Sequence, residues 1–239
     1  MKFAGIWVYL AASPLLWLAV TLCAYVAADW LYRRSRMHPL TNPVALAVAA
    51  IIAVLSAADV AYPIYFEGAQ FVHFLLGPAT VALAVPLHAQ FARLRSMLGP
   101  LLIALAVGSV AAAGSAVAIG WALGGSPQVL MSLAPKSVTT PIAMGVAEKI
   151  GGLPSLTAVL VVSTGIIGAV IGRGLLALVG VRDDAATGFA LGVAAHGIGT
   201  ARAFQVSETA GAFSALGMGL NGMATALLLP YLIGWLTRG

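Results

Sequence analysis

Two short stretches of this chain set cationic and hydroxyl side chains among helix-breaking residues, inside otherwise apolar sequence. Pro135-Lys136-Ser137-Val138-Thr139-Thr140-Pro141 carries an ammonium and several hydroxyls, and His196-Gly197-Ile198-Gly199-Thr200-Ala201-Arg202 carries an imidazole, a hydroxyl and a guanidinium. Together they suit non-covalent recognition of an anion. Lys136 and Arg202 supply charge, while Ser137, Thr139, Thr140 and Thr200 supply neutral hydrogen bonds. His196 can change charge near neutral pH. Gly197 and Gly199 belong to the same candidate binding set, as does Thr80 in a third interruption, Gly77-Pro78-Ala79-Thr80. Each group also has a structural role open to it. Lys136 either meets a ligand, snorkels to an interface or pairs with a carbonyl, and Arg202 either meets a ligand or pairs with Glu208. His196 is either a satisfied core histidine or a substrate or proton-coupling group. Taken singly, the hydroxyls serve as caps or interhelical bonds, and only their concentration in two breaks favours a site.

Chemistry is sparse elsewhere. The chain has no HExxH, no Gly-x-Ser-x-Gly elbow and no phosphate-binding glycine loop, so neither an enzyme nor a bound metal or cofactor is expected. Cys23, the single cysteine, can neither form an internal disulfide nor complete a thiolate site. The 12 Lys and Arg against 7 acids, with a pI near 9.7, stand dispersed at the ends of apolar runs. That pattern argues against nucleic acid and for topology signals.

The elements that position the two stretches are membrane helices. With 61% hydrophobic and 8% charged residues and a mean hydropathy of +1.02, the 239 residues cannot cover a water-soluble surface. The fold expected is an all-α polytopic integral membrane protein, one membrane domain over 1–239, with about 7 to 8 transmembrane segments in a lipid bilayer. Apolar runs fall near 5–32, 43–62, 69–92, 99–123, 153–179, 185–207 and 211–236. Asn42-Pro43, Ser126-Pro127 and Thr140-Pro141 read as N-caps followed by a first-turn proline, and Asp183 with Asp184 suits a helix start at 185. Gly124-Gly125 and Gly151-Gly152 mark stops. No basic leader and cleavage site precede the first run, so it is expected to persist as a span.

Both polar stretches then fall at mid-depth. Pro127 to Ala134 rises about 12 Å, and a helix capped at Asp184 reaches His196 after about 18 Å, against an apolar slab of about 30 Å. Unwound backbone survives in a membrane only where protein or an aqueous cavity supplies partners, so the breaks point inward. Helix N-termini exposed there suit an anion. Arg33, Arg34 and Arg36 follow the first run and Arg93 with Arg95 the third, which makes both loops cytoplasmic. If 127–150 crosses fully, Arg173, Arg182 and Arg238 lie toward the outside; if it re-enters, all of them lie inside. Seven full crossings plus one re-entrant segment, with the C-terminus inside, are therefore expected. The layout is 1–36, an N-terminal helix and basic loop; 43–123, a first inverted repeat; 127–150, the broken or re-entrant segment; and 153–236, a second repeat of opposite orientation.

Three runs carry a family resemblance: Leu76-Gly77-Pro78-Ala79-Thr80-Val81-Ala82-Leu83-Ala84, Pro135 to Ala143, and His196 to Arg202. Over about residues 40–236 the chain resembles the LrgB/CidB family of bacterial membrane proteins, related to the membrane domain of the plastid glycolate/glycerate translocator. Two functional pictures follow from that resemblance. One is secondary transport of a small monocarboxylate of the glycolate, glycerate, lactate or pyruvate class, ion- or proton-coupled, by alternating access at a mid-membrane site. The other is an antiholin-like regulator of murein hydrolase activity and lysis, acting with a small holin-like membrane partner. The resemblance implies multi-pass residence in the inner (plasma) membrane and crossed, broken helices in inverted repeats. A homo-oligomer is a further expectation.

Overall fold

The computed structural model describes residues 13–38 and 41–236, apart from the side chains of Leu76, Thr80 and Leu236. Every regular element among these residues is helical. In lipid a helix satisfies its backbone internally, and long runs of Ala, Leu, Val and Ile offer no other way to do so. Five stretches are long and apolar enough to cross a membrane: Pro14–Arg34, Tyr62–Ala89, Leu98–Ala122, Pro154–Leu178 and Glu208–Trp235. The chain is an all-α multi-pass membrane protein.

The helices gather into two compact units divided between Ala82 and Leu83. In the first, α1 (Pro14–Arg34), α2 (Pro43–Ala57), α3 (Tyr62–Phe74) and α4 (Leu76–Ala82) follow one another. Their core is Trp17, whose ring meets Tyr65 edge-on at 6.1 Å. Asn42 caps α2 by accepting from the Val44 and Ala45 N–H groups at 3.0 and 3.1 Å. The interruption expected at Gly77-Pro78-Ala79-Thr80 is a helical turn, flanked by breaks at Leu75 and Leu83. Pro78 stands in the first turn of α4, where the N–H it lacks has no intrahelical partner.

The second unit holds α5 (Ala84–Ala89), α6 (Phe91–Ser96), α7 (Leu98–Ala122), α8 (Pro127–Leu133), α9 (Thr140–Lys149), α10 (Pro154–Leu178), α11 (Asp184–Phe204) and α12 (Glu208–Leu236). Ser126 caps α8 and Asp183 caps α11, the latter accepting from the Ala186 N–H at 2.9 Å. The N-cap of α9 is Thr139, one residue earlier than expected, and Thr140 is its first helical residue.

Two of the elements turn back on themselves. The Leu153 N–H donates to Ser132 Oγ at 2.8 Å and Thr157 Oγ1 donates to the Ser132 carbonyl at 3.1 Å. Straight helix would separate Ser132 and Leu153 by about 30 Å. The chain from α8 through α9 is therefore a re-entrant hairpin, hairpin A, with its tip at 134–139. A second contact agrees: Arg93 Nη2 meets Asp183 Oδ2 at 2.6 Å. Between these residues α7 and α10 make two crossings, and a third would carry them to opposite faces.

Helix α11 bends more sharply. Ala195 (φ −126°, ψ 15°) and His196 (φ 42°, ψ −133°) leave helical geometry, and beyond them the chain reverses. Leu191, Ala203 and Ala210 share one buried cluster, and Ser207 Oγ donates to Asp184 Oδ2 at 2.7 Å. A straight helix would set Leu191 and Ala203 about 18 Å apart. Residues 184–207, read from the sequence as a full crossing, are thus hairpin B, which returns to the face it left. Eleven helical residues after Asp183 reach only about 17 Å, so reversal at His196 keeps the strained residue inside the protein. A 25-residue helix followed by a hairpin occurs twice, over 98–150 and 154–207, in opposite directions.

Arg93, Arg95, Arg173, Arg182 and Arg202 now fall toward one face and Lys149 toward the other, so the positive-inside rule predicts a cytoplasmic first face, and the sides inside and outside follow that prediction. Hairpin A enters from outside and hairpin B from inside. Because hairpin B makes no crossing, α12 ends outside, opposite to the sequence expectation; Arg238 lies outside the described residues.

Cysteine labelling tests this layout in a Cys23→Ser background. Leu123→Cys and Ser155→Cys should react with an impermeant maleimide from the outer face, and Arg182→Cys and Gln205→Cys from the inner face. Reaction of either pair from opposite faces sinks the hairpin assignment.

The base of hairpin B adds a pH expectation. The Ala186 N–H, with help from the Arg93 guanidinium and against partial burial, holds the Asp183 carboxyl below the ordinary aspartate range. A depressed carboxyl stabilises the fold above its unfolded value of about 3.9, and that contribution fades as pH falls through the folded value. Thermal unfolding of detergent-solubilised Asp183→Asn should therefore lose part of the wild-type acid sensitivity below about pH 4. An unchanged acid profile refutes the assignment.

Candidate functional site

The tip of hairpin A is built from Pro135 to Thr139. Turns close it, with Lys136 N–H donating to the Leu133 carbonyl at 3.1 Å and Val138 N–H to Pro135 at 3.3 Å. Val138 is buried with Ala143 and Val161, which anchors the tip to α9 and α10. Lys136 is half-buried, and its Nζ donates to Ser137 Oγ at 3.2 Å. Ser132, fully buried, bonds to Gln128, Leu153 and Thr157 and holds the incoming arm against the start of α10.

The tip of hairpin B lies at His196. Its ring is buried, and Nε2 stands 3.0 Å from the Val161 carbonyl. A carbonyl only accepts, so Nε2 carries the proton. Room for the ring comes from Gly165, where an added Cβ would stand 2.8 Å from His196 Cε1, and from Gly168, where it would meet Ala195 Cβ at 2.5 Å. Thr200 Oγ1 bonds to the His196 carbonyl at 2.9 Å and to Ser214 Oγ at 3.0 Å. Gly199 lets the two arms touch, since a Cβ there would meet the Leu191 carbonyl at 2.5 Å. Gly188 and Gly192 seat the incoming arm on the backbone of Ala210 and Ser214 of α12, where no Cβ fits.

One side chain joins the two tips. Asn221, buried midway along α12, donates from Nδ2 to the Ser137 carbonyl at 3.2 Å and to the Val193 carbonyl at 2.9 Å. Its Oδ1 accepts from Ser109 Oγ at 2.7 Å. Both carbonyls are freed by the breaks: Val193 belongs to the last turn before Ala195, and Ser137 lies in the tip itself. A buried carbonyl left without a donor costs roughly 1–3 kcal/mol. The amide orientation follows from this network, because the reversed one would face oxygen with oxygen.

Of the sequence candidates, Lys136, Ser137, Thr139 and Thr140 lie at the first tip, and His196, Gly197, Gly199 and Thr200 at or just beyond the second. Both tips converge on Val161, which packs against Val138 of tip A and accepts from the His196 ring of tip B. Arg202 is not brought to the tips. It stands about 9 Å along the return arm from His196, and its Nη1 donates to Gln205 Oε1 at 3.0 Å. Helical rise puts it near the hairpin base, so Lys136 is the cation at the crossing. The side chain of Thr80 lies outside the described residues. Sequence reasoning missed Asn221 and Ser109; an amide in the middle of the 29-residue helix α12 was the available signal. Beside hairpin B a cavity of about 370 Å³ is lined by apolar side chains, among them Met97, Leu101, Phe189 and Val193.

These features define a multi-pass membrane protein whose polar residues meet at the tips of two oppositely directed hairpins. The model of the LrgB-like family matches residues 21–235, and the chain belongs to that family. It is 36% identical over 220 residues to the uncharacterized protein YwbG of Bacillus subtilis, covering 92% of this chain and 97% of the relative. The holin-like protein CidB of Staphylococcus epidermidis is 31% identical over 82% of this chain and 86% of its own. The antiholin-like protein LrgB of Bacillus mycoides is 29% identical over 91% and 95%. No solved structure matches.

The seat of His196 can be tested by crowding. Gly165→Ala should lower stability in detergent by about 1–3 kcal/mol, because the new methyl displaces the ring from Val161. In a His196→Ala background the same change should cost less than half as much. Equal costs in the two backgrounds would show that the ring is not lodged against Gly165.

Proposed function

We propose that this chain is a secondary transporter of a small monocarboxylate, with the substrate held where the two hairpin tips meet. The observation that carries the reading is the half-buried Lys136 at a tip tied to its counterpart through one buried amide. A cation in the interior of a membrane protein is costly, and the cost is offset when an anion binds there. The outgoing arms begin at Thr140 and Gly197, and the free N–H groups of a helix start suit an anion. A single carboxylate requires one direct cation, and Lys136 fills that role. No covalent step is involved, and the bilayer is the bacterial inner membrane.

A second reading has its own support. Two of the relatives bear the names antiholin-like and holin-like, which favour regulation of lysis with a small holin-like membrane partner over transport. Such a regulator acts through an outer surface and has no use for a cation at the hairpin tips.

Purified protein in liposomes separates the two. The wild type should take up labelled glycolate, glycerate, lactate or pyruvate under an imposed proton gradient. Lys136→Met should weaken substrate binding by roughly 1.5–3 kcal/mol, the range for a charge-assisted hydrogen bond. Thr140→Val should cost roughly 1 kcal/mol, and Arg202→Met should leave binding unchanged. Substrate-dependent thermal stabilisation reads binding in each variant once insertion is checked. Undiminished binding and uptake in Lys136→Met eliminates this site.

A further inference from the structure

The bonds made by Asn221 point beyond binding to how the two hairpins move. A primary amide has two N–H hydrogens, and here each goes to a different hairpin: one to the Ser137 carbonyl of hairpin A, the other to the Val193 carbonyl of hairpin B. The side chain is 2% exposed, and its oxygen is held by Ser109 of α7 at 2.7 Å, with Thr225 Oγ1 at 3.5 Å. The amide is thus fixed on crossing helices while both its partners sit on elements that do not cross. Hairpin A reaches Asn221 from the outer side and hairpin B from the inner side.

We infer that Asn221 is a shared latch for two gates. With both bonds made, the tips are closed from both faces. Of the two Asn221 bonds, lifting hairpin A outward breaks only the one to Ser137, and lifting hairpin B inward breaks only the one to Val193. Whichever gate opens, the other stays fastened to the same side chain. Asn221 is a positioning residue: it touches the backbone of the two tips and acts on the proposed substrate through them. In mechanism this extends the transport reading, but its structural content holds without any substrate.

The other joints between the hairpins and their surroundings do not serve this purpose. Ser132 and Thr157 fasten the middle of hairpin A to α10, well behind its tip. Ser207 closes the base of hairpin B onto its own first residue, Asp184, while His196 and Thr200 hold tip B alone, to Val161 and Ser214. Among the described hydrogen bonds, those of Asn221 are the ones that reach from one side chain to both tips.

The experiment reads gate opening directly, in full-length protein carrying Cys23→Ser. Thr139→Cys reports on tip A and Gly197→Cys on tip B. Both residues are half-buried, and a Cβ at Gly197 comes no nearer than 3.9 Å to the Met218 sulfur. In the parent, an impermeant maleimide should label neither reporter rapidly from either face. Adding Asn221→Leu should speed labelling of Thr139→Cys from outside and of Gly197→Cys from inside, each by about tenfold, as loss of one hydrogen bond implies. Asn221→Val, which likewise carries no donor for either carbonyl, should act the same way. Ser109→Ala keeps both donors and should leave both rates within about twofold.

Acceleration at one tip only, or at neither, overturns the latch. So does labelling of a third reporter, Ala210→Cys, which is fully buried in the parent and reports general loosening. Wild-type liposomes that take up no monocarboxylate would sink the transport reading while leaving the labelling result to decide the latch.

Discussion

A free backbone carbonyl has no water to turn to inside a membrane, and the second unit is organised around that constraint. Each hairpin must end its incoming helix in the interior, and each such end leaves carbonyls without intrahelical donors. One amide, that of Asn221, supplies donors to both ends. Two hydrogen bonds are small against the folding energy of a domain. Their weight comes from the alternative, since an unpaired carbonyl at either tip would cost more than the bond gains. The rest of the unit holds Asn221 in place. Ser109 orients its oxygen, and α12 carries it at mid-depth between the two hairpins.

The two hairpins meet the same constraint by different means. Hairpin A uses hydroxyls: Ser132 and Thr157 bind it to the start of α10 through two described bonds and leave its cationic tip unwound. Hairpin B uses missing side chains. Gly165 and Gly168 receive the tip, Gly188 and Gly192 bring the incoming arm onto α12, and Gly199 brings the arms together. Close approach of this kind gains dispersion contacts over a long interface. The gain also offsets the left-handed backbone at His196, a conformation that costs a non-glycine residue of order 1–3 kcal/mol.

Much of the class and of the tips was legible in the sequence, because it rests on local signals. Apolar runs of helical length give membrane helices wherever they occur, and the caps at Asn42, Ser126 and Asp183 follow from residue type and one neighbouring proline or acid. Lys136 and His196 stand out because polar groups are rare in such runs. Reversal at His196 was not legible. Residues 185–207 have the length and hydropathy of a crossing helix, and what turns them back is long-range: Val161 on the ring, Gly165 beneath it and Asn221 on the Val193 carbonyl. None of these is a neighbour in sequence. The orientation of α12 was lost with it, because one miscounted crossing inverts everything that follows. Arg202 was misplaced for the same reason, since depth was measured along a helix that does not continue.

Separation of Lys136 from Arg202 alters what the tips can recognise. Two cations at one buried point would favour a dianion or require an acid to balance them. On the transport reading proposed above, Lys136 with Ser137 Oγ as its neighbour would pair with a single carboxylate, and a hydroxyl or keto oxygen beside that carboxylate would suit the flanking hydroxyls. Arg202, near the base of hairpin B, instead belongs with Arg93 and Arg182 at the cytoplasmic face, where positive charge fixes orientation. The single reversal at His196 thus moves this side chain from mid-depth to the base of its hairpin, beside Gln205.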